Sequence, residues 1–250
     1  MPKKKPNKKA RIQMNLDERF RQLRTNIEFS QYDRDLRVIN VVSTFPDEGK
    51  STVALNLAKI YGNQYYKVLL IDCDLRNPSL HKLAGVSNEK GLSNLLTHFD
   101  EKESLLNAEE IQLCELDQQS DVYMLTAGSR VPNPQELLAS QKFVRLVQKA
   151  KEEFSTIIID CPPCMAVADA IPVCNASDGT LYVVSAKDTD KASAREGMNE
   201  LRRNGANIIG AVLTKAEESK HHKNGYYYYD YGYGYGYGYG EDSEGEKQER

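Results

Sequence analysis

The sequence has no long apolar run, and none of its hydrophobic stretches approaches the ~20 residues that a membrane-spanning helix requires. Its first residues also lack the apolar stretch of a secretion signal. These absences predict a cytoplasmic protein. Contact with a membrane would then be peripheral and would come through a partner or through the basic N-terminal residues.

Cysteines are few, and their number, five, is odd. An odd count in a cytoplasmic chain argues against a disulfide framework. The stretch "CPPC" at 161–164 has the spacing of redox motifs, but it follows a strand deep in the chain rather than opening a short βαβ domain. A zinc site would need a second pair of ligands at a suitable spacing, and the sequence offers none. Redox and zinc chemistry are therefore minor alternatives.

The net charge of −3 is unevenly distributed. The first eleven residues carry six Lys or Arg and no acid, whereas residues 241–250 are rich in Asp and Glu. A basic arm of this kind can bind anionic lipid, nucleic acid or an acidic partner, or can simply be solvated. Because no other basic face supports it, we do not expect nucleic-acid binding.

Strand-like and helix-like segments alternate through the middle of the chain. The strand-like segments are continuous Val/Ile/Leu runs, which indicate strands buried on both faces; they lie at 37–43, 67–72, 121–127, 156–160, 179–186 and 207–214. Helical patterns lie between them, including 51–64, 91–96 and 134–154. This order predicts an α/β domain over 36–216, a doubly wound, mostly parallel sheet of P-loop NTPase type with helices on both faces.

Three further segments flank that domain. We predict a disordered basic arm at 1–15, a helix within 16–35 with apolar residues at helical spacing, and a flexible tail at 217–250. Alternation with glycine should keep the tail backbone mobile. Nine of the fifteen tyrosines lie in that tail: Tyr226, Tyr227, Tyr228, Tyr229, Tyr231, Tyr233, Tyr235, Tyr237 and Tyr239.

A phosphate-binding motif joins the first strand to the first helix of the α/β domain. In "STFPDEGKST" (43–52), backbone amides and a helix N-terminus would hold phosphates, Lys50 would reach the terminal ones, and the Ser51 hydroxyl would ligate Mg²⁺. Thr44 replaces the first glycine of the usual pattern. The predicted nucleotide-binding residues are Pro46, Asp47, Glu48, Gly49, Lys50, Ser51 and Thr52.

Carboxylates end two other buried strands. Asp72 and Asp74 close "LLIDCD", and Asp160 closes "TIIID". Carboxylates beside a triphosphate repel it unless a metal lies between them, so we predict Mg²⁺ ligation by Ser51 and these three acids, although an Asp pair can also cap the following loop. Asp74 is the candidate base for a tyrosine phenol. Arg76 would balance charge in the transition state, or would pair with an acid at the surface.

Several of these motifs resemble those of one family. "TFPDEGKST", "LLIDCDLR" and "IIIDCPP" resemble the Walker A, A′ and B motifs of the bacterial tyrosine kinases (BY-kinases) of capsular and exopolysaccharide assembly. "ERFRQLRTNIEF" (18–29) is similar to the ExxRxxR oligomerisation motif of that family through Glu18, Arg21 and Arg24. "PNPQELLAS" (132–140) and the tyrosine-rich tail extend the resemblance over about 16–240.

The resemblance implies an ATP- and Mg²⁺-dependent protein-tyrosine kinase that regulates polysaccharide synthesis and export. Lys50, Asp72, Asp74 and Arg76 would form the catalytic set, and the tail tyrosines would be phosphorylated between subunits of a ring-like homo-oligomer. The short form of the family works with a separate transmembrane activator of chain-length type at the inner face of the plasma membrane and with a cognate phosphatase. Asp169 lies where the family often has an acid.

Two alternatives belong to other functional classes. A MinD/ParA-like positioning ATPase would share the phosphate-binding motif, but its signature lysine is replaced here by Phe45. A non-catalytic adaptor would bind ATP and use the aromatic tail for interactions. Incubation with ATP followed by detection of phosphotyrosine would separate these two alternatives from the kinase.

Overall fold

The computed structural model describes residues 8–30, 35–65, 67–117 and 120–216. The predicted tail and the first seven residues of the predicted arm lie outside them. Seven strands form one sheet in the order β3-β4-β2-β5-β1-β6-β7. Their bounds are β1 Val38–Ser43, β2 Val68–Asp72, β3 Ile111–Asp117, β4 Ser120–Leu125, β5 Thr156–Asp160, β6 Gly179–Ser185 and β7 Ile208–Thr214.

Eight α-helices and one short 3₁₀ helix (Leu105–Asn107) accompany the sheet in the described part of the chain. The α-helices are α1 Lys8–Phe29, α2 Lys50–Gly62, α3 Leu80–Ala84, α4 Leu92–His98, α5 Pro134–Leu138, α6 Gln141–Glu153, α7 Ala170–Asn175 and α8 Lys191–Arg203. None of the helices in these ranges combines the length and the hydropathy needed to cross a bilayer.

The central strands are buried on both faces, as their continuous apolar runs predict. Every residue of β1, β2 and β5 is buried. Successive side chains of a strand point to opposite faces, so Val38 and Val42 pack in one core, which contains α4 and α6, while Ile39 and Val41 pack in the other, which contains α1 and α2. Helices therefore cover both faces, and the predicted doubly wound fold is confirmed.

Parallel pairing brings the carboxyl ends of β1, β2 and β5 to one edge of the sheet. β5 lies between the other two strands, and Asp72 pairs in register with Asp160. The α2 helix begins at the same edge, because Lys50 follows β1 after a loop of six residues. The acids that end β2 and β5 and the loop that follows β1 thus lie at the same edge of the sheet.

One strand was missed by the sequence analysis. β3 pairs antiparallel with β4 at the edge of the sheet, with Ile111 opposite Leu125. Its residues are only partly buried; Leu113 is exposed and Cys114 is buried. Without a continuous apolar run, this edge strand lacks the signal that identified the others.

The long helix predicted over 134–154 is divided in two. α5 ends at Leu138 and α6 begins at Gln141. Ser140 is the N-cap of α6, and its side-chain oxygen accepts a hydrogen bond from the backbone N–H of Phe143. A serine at this position offers the chain a helix start, which the apolar periodicity alone did not reveal.

The N-terminal helix starts earlier than predicted. α1 begins at Lys8, whereas the sequence analysis placed residues 8–15 in a disordered arm. The segment "KKARIQMN" consists largely of residues with good helix propensity, which allows the helix to begin before its apolar periodicity does. The predicted arm is therefore corrected to residues 1–7 at most.

Candidate active site

The phosphate-binding loop, residues 44–49, connects β1 to α2. Two of its residues, Asp47 and Gly49, have positive φ angles of 61° and 92°. A glycine adopts such an angle without strain, and here it turns the chain directly into the first turn of α2. The free backbone amides at the start of that helix point out of the carboxyl edge of the sheet, where an anion binds most readily.

A cavity of about 370 Å³ opens beside this loop. Its lining includes the predicted nucleotide-binding residues Pro46, Asp47, Gly49, Lys50, Ser51 and Thr52, together with Asp74, Asn77, Ser79, Lys82, Leu83 and Pro163. Glu48 is the exception. Its side chain is buried inside the loop and does not line the cavity, so the predicted contact of Glu48 with the nucleotide could come only from its backbone.

Lys50 lies at the centre of the site. Its Nζ is 3.0 Å from Oδ2 of Asp74 and 3.6 Å from Oδ1 of Asp160, and it donates a hydrogen bond to Oγ of Ser51 at 3.3 Å. Burial by itself lowers the pKa of Lys50, but the carboxylates of Asp160 and Asp74 outweigh it and raise the pKa well above its ordinary value. The ammonium group therefore stays charged, which its predicted contact with the terminal phosphates requires.

Asp160 is fully buried; within the described ranges its carboxyl oxygens make no hydrogen bond of ordinary geometry, and Lys50 Nζ lies 3.6 Å from Oδ1. Burial raises the pKa of Asp160 to about 6, against the opposing effect of Lys50. A buried carboxylate that shares one lysine with another acid is poorly neutralised in the free protein, and a further cation would fit beside it. In the described ranges, no three His, Cys, Asp or Glu side chains by themselves form a metal site. Mg²⁺ would therefore also need Ser51, phosphate oxygens and water as ligands, and this ion commonly keeps several water ligands in proteins.

Asp72 orders the loop that follows β2. Its Oδ1 accepts the backbone N–H of Asp74 at 3.1 Å, and its Oδ2 accepts that of Leu80 at 3.2 Å. Burial, followed by the nearby Asp160 carboxylate, raises the pKa of Asp72. The loop-capping alternative is therefore realised. Its free lone pairs still allow metal ligation, which stays a prediction.

Ser79 was missed by the sequence analysis. Its Oγ donates to Oγ of Ser51 at 2.8 Å, which orients the hydroxyl predicted to ligate Mg²⁺. Ser79 is the N-cap residue of α3, a five-residue helix too short to give a periodic pattern. The nearby Asp74 accepts the Asn77 backbone N–H with Oδ1, and this bond shapes the same loop.

Arg76 pairs with Asp169, whose position in the chain is far away. Its Nε and Nη2 donate to the two oxygens of Asp169 at 2.7 and 3.1 Å, and Asp169 is buried. Of the two roles considered for Arg76, pairing with an acid is the one that the geometry shows. The same bond gives Asp169 a role, since it ties the segment after β5 to the loop after β2.

Replacement of Arg76 by alanine should therefore destabilise the fold. The change leaves Asp169 buried without its partner, and because Arg76 is itself half exposed we expect a loss of about 1–2 kcal/mol. Urea unfolding measures this loss, and Arg76→Lys should restore part of it. Lost phosphorylation with unchanged unfolding would instead assign Arg76 to the transition state.

The predicted assembly residues on α1 divide into two groups. Glu18 and Arg21 form an exposed ion pair at 3.1 Å. Arg24 is largely buried, donates to the carbonyl of Ile60 on α2 at 3.3 Å and lies 3.6 Å from Glu28. Arg24 thus holds α1 against α2 of its own chain, and its predicted part in oligomerisation stays a prediction.

The two thiols of "CPPC" have separate surroundings. Cys161 is buried and receives a hydrogen bond from Asn40, whereas Cys164 lies 3.6 Å from the Tyr182 hydroxyl. Burial raises the pKa of both thiols, to about 11 for Cys164. A raised pKa disfavours the reactive thiolate, so packing explains this motif better than redox chemistry does.

The known proteins that this chain is similar to are consistent with a nucleotide-binding site at this edge of the sheet. Residues 39–231 match the family model of the CobQ/CobB/MinD/ParA nucleotide binding domain. The chain is 37% identical over 210 residues to the tyrosine-protein kinase YwqD of Bacillus subtilis (strain 168), covering 84% of this chain and 85% of that protein. It is 31% identical over 212 residues to the putative tyrosine-protein kinase CapB of Staphylococcus aureus, covering 85% and 90%.

A solved structure shows the same likeness. The kinase domain of the Escherichia coli tyrosine kinase ETK superposes with a TM-score of 0.71 and 31% identity, covering 84% of this chain and 80% of that one. MinD and ParA give their names to the matched family model, and what they share with this chain is the fold.

Proposed function

The chain belongs to the bacterial tyrosine-protein kinases built on the CobQ/CobB/MinD/ParA nucleotide-binding domain, and from that premise we propose that it uses ATP and Mg²⁺ to phosphorylate the tyrosines of its own C-terminal tail. The observation that carries the proposal is the position of Lys50, a buried ammonium held between Asp74 and Asp160 at the mouth of the phosphate-binding loop. The MinD/ParA alternative concerns the fold and is not a competing function.

Nucleotide binding would rearrange this cluster. Phosphate oxygens are better partners for the Lys50 ammonium than two carboxylates that it must share, so Lys50 would turn toward the nucleotide. Its departure frees Asp74 Oδ2, which then becomes available to accept a proton. The ion pair of the free protein therefore keeps the candidate base occupied until ATP arrives.

Asp160 and Ser51, with Ser79 orienting the hydroxyl and Asp72 nearby, would hold Mg²⁺. When bound, the ion neutralises charge on the phosphates during transfer. The backbone amides at the start of α2 would hold the phosphates in place. The chain itself thus supplies positioning and charge, which is most of what phosphoryl transfer requires.

Asp74 would act as the base for the acceptor. A tyrosine phenol has a pKa near ~10 and attacks poorly unless its proton is accepted as the bond forms. Asp74 lines the cavity beside Lys50, Lys82 and Leu83, so an acceptor entering that cavity meets it directly. The γ-phosphoryl group then passes to the phenolic oxygen, ADP leaves, and Asp74 holds the proton until solvent takes it.

The acceptors in this proposal are the nine tail tyrosines, reached in trans within a ring-like homo-oligomer to which exposed Glu18 and Arg21 contribute. A transmembrane activator of chain-length type would recruit the chain to the inner face of the plasma membrane, and a phosphatase would reset the tail. The process regulated would be capsular or exopolysaccharide synthesis. The family membership and the composition of the tail support these assignments.

Replacement of all nine tail tyrosines by phenylalanine should remove at least about nine-tenths of the phosphotyrosine formed with ATP while leaving ATP affinity unchanged, because the hydroxyls lost are acceptors and not site residues. Purified protein is incubated with ATP and Mg²⁺, with and without membranes of the source organism, and phosphotyrosine is mapped by mass spectrometry. A variant with Tyr61, Tyr65 and Tyr123 changed to phenylalanine is the control within the α/β domain, and it should label normally. Undiminished labelling of the tail variant would show that other tyrosines are the acceptors.

A further inference from the structure

Glu48 is a charged residue in an unexpected place. It lies two positions before Lys50 in the phosphate-binding loop, yet only 1% of its surface is exposed. A buried carboxylate is costly unless hydrogen bonds satisfy it. A carboxylate in a loop that binds phosphates would also repel its ligand if it faced the cavity.

The side chain of Glu48 is turned inward and fully engaged. Its Oε2 accepts the backbone N–H groups of Thr44 at 2.6 Å and of Phe45 at 3.1 Å. Its Oε1 accepts the hydroxyl of Thr189, in the turn between β6 and α8. Glu48 therefore closes the loop on itself, at the position where Thr44 replaces the usual first glycine, and fastens the loop to a neighbouring turn.

The backbone of Glu48 is held as well. The hydroxyl of Thr214, the last residue of β7, donates to the Glu48 carbonyl at 2.5 Å. The Thr214 methyl group lies against Gly49, 3.5 Å from where a Cβ would be. The loop is thus held at Glu48 by two neighbouring segments, the turn after β6 and the end of β7.

We propose that Glu48 is a positioning residue which, with Thr189 and Thr214, holds the phosphate-binding loop in the conformation that binds the nucleotide. Its side chain does not line the cavity, so it acts by holding other groups in place. Its carboxylate supplies order that a bound phosphate would otherwise supply, so that the loop backbone and the amides of α2 are in place before ATP arrives. This inference rests on the proposed function, because it assigns ATP as the ligand of the loop.

The test uses Thr189→Val and Thr214→Val, which keep the shape of the side chain and remove only the hydroxyl donor. Each leaves a Glu48 oxygen without its partner, and a buried acceptor without a donor loosens the loop. We expect the Kd of a fluorescent ATP analogue to rise about tenfold for each variant. Thr189→Ser and Thr214→Ser, which retain the hydroxyl, should bind within about threefold of the wild type.

The control is Thr180→Val on β6. The Thr180 hydroxyl is also buried and donates to Asn40 at 2.8 Å. Thr180 lies near the start of β6, whereas Thr189 follows the end of that strand. This variant should lose thermal stability without losing nucleotide affinity. In phosphorylation assays, the loop variants should show a raised KM for ATP, a kcat at saturating ATP within about threefold of the wild type, and an unchanged KM for the acceptor.

A double-mutant cycle separates positioning from general destabilisation. If Glu48 acts through Thr189, the combined variant Glu48→Gln/Thr189→Val should bind the analogue little more weakly than the poorer single variant. Loop variants that bind like the wild type, or that lose affinity only as far as Thr180→Val does, would overturn the proposal. Failure of the wild type itself to bind ATP would instead overturn the proposed function.

Discussion

Replacement of Lys50 by methionine is expected to lower tail phosphorylation by about 10³-fold or more. Methionine keeps a long unbranched stem but removes the positive charge that the first residue of α2 would offer to the terminal phosphates. Loss of one such stabilising group typically costs 10²–10³ in rate, and the weaker binding of ATP adds to it. Phosphotyrosine per chain, measured by mass spectrometry over a time course, gives the ratio.

The same substitution leaves Asp74 and Asp160 without their shared cation, so its effect on folding has to be measured alongside. Thermal unfolding of the variant shows whether the fold survives. Lys142→Met is the matched control, since Lys142 donates to the carbonyls of Leu96 and Thr97 on α4, away from the site, and should label normally. A folded Lys50→Met protein that labels its own tail like the wild type would refute the assignment of Lys50.

Replacement of Asp160 by asparagine is expected to abolish most activity and yet to stabilise the nucleotide-free protein. The Asp160 carboxylate lies near those of Asp72 and Asp74, and Lys50 alone contacts both Asp74 and Asp160 among the described residues. Removing one of these buried negative charges reduces the repulsion among them, so the free energy of unfolding of the nucleotide-free protein should rise. We expect a gain of about 1–2 kcal/mol, or a melting temperature about 3–6 °C higher, with phosphorylation at least about 10²-fold lower.

The same substitution at a second aspartate, Asp178, should change the stability of the protein in the opposite direction. Asp178 accepts the backbone N–H groups of Arg37 and Val38 and pairs with Lys151, at the far end of the sheet from the site. Asp178→Asn should therefore lose stability and keep activity. ATP with Mg²⁺ should raise the melting temperature of the wild type and of Asp178→Asn, but much less that of Asp160→Asn. An Asp160→Asn protein that melts at a lower temperature than the wild type would contradict the view that Asp160 needs a further cation as its partner.

The strands and the active-site edge were predictable because their signals are local. Continuous Val/Ile/Leu runs marked β1, β2 and β5, and an acid at the end of each of two runs placed Asp72 and Asp160 side by side once the strands were parallel. The edge strand β3 gave no such run. The break between α5 and α6 depended on one capping serine, whose effect competes with strong helical periodicity on both sides.

The contacts that hold the site in shape were not predictable, because they join residues far apart in sequence. Arg76 and Asp169 are 93 positions apart, and Glu48 and Thr214 are 166 apart. A polar residue at the end of an apolar, strand-like run, such as Thr214 at the end of β7, was the available signal, and it names a candidate without naming its partner. Arg24 shows the converse, since a motif suggested an intermolecular role for a side chain that the fold uses internally.

The most direct test of the account mixes two defective chains. One carries Lys50→Met and an intact tail, and the other carries an intact site and phenylalanine at all nine tail tyrosines; tags of different mass distinguish them. With ATP, Mg²⁺ and membranes of the source organism present, we expect phosphotyrosine on the tail of the Lys50→Met chain only when both chains are mixed. Equal labelling of the Lys50→Met chain alone, or no labelling in the mixture under conditions where the wild type labels itself, would contradict phosphorylation of the tail in trans by the site at Lys50.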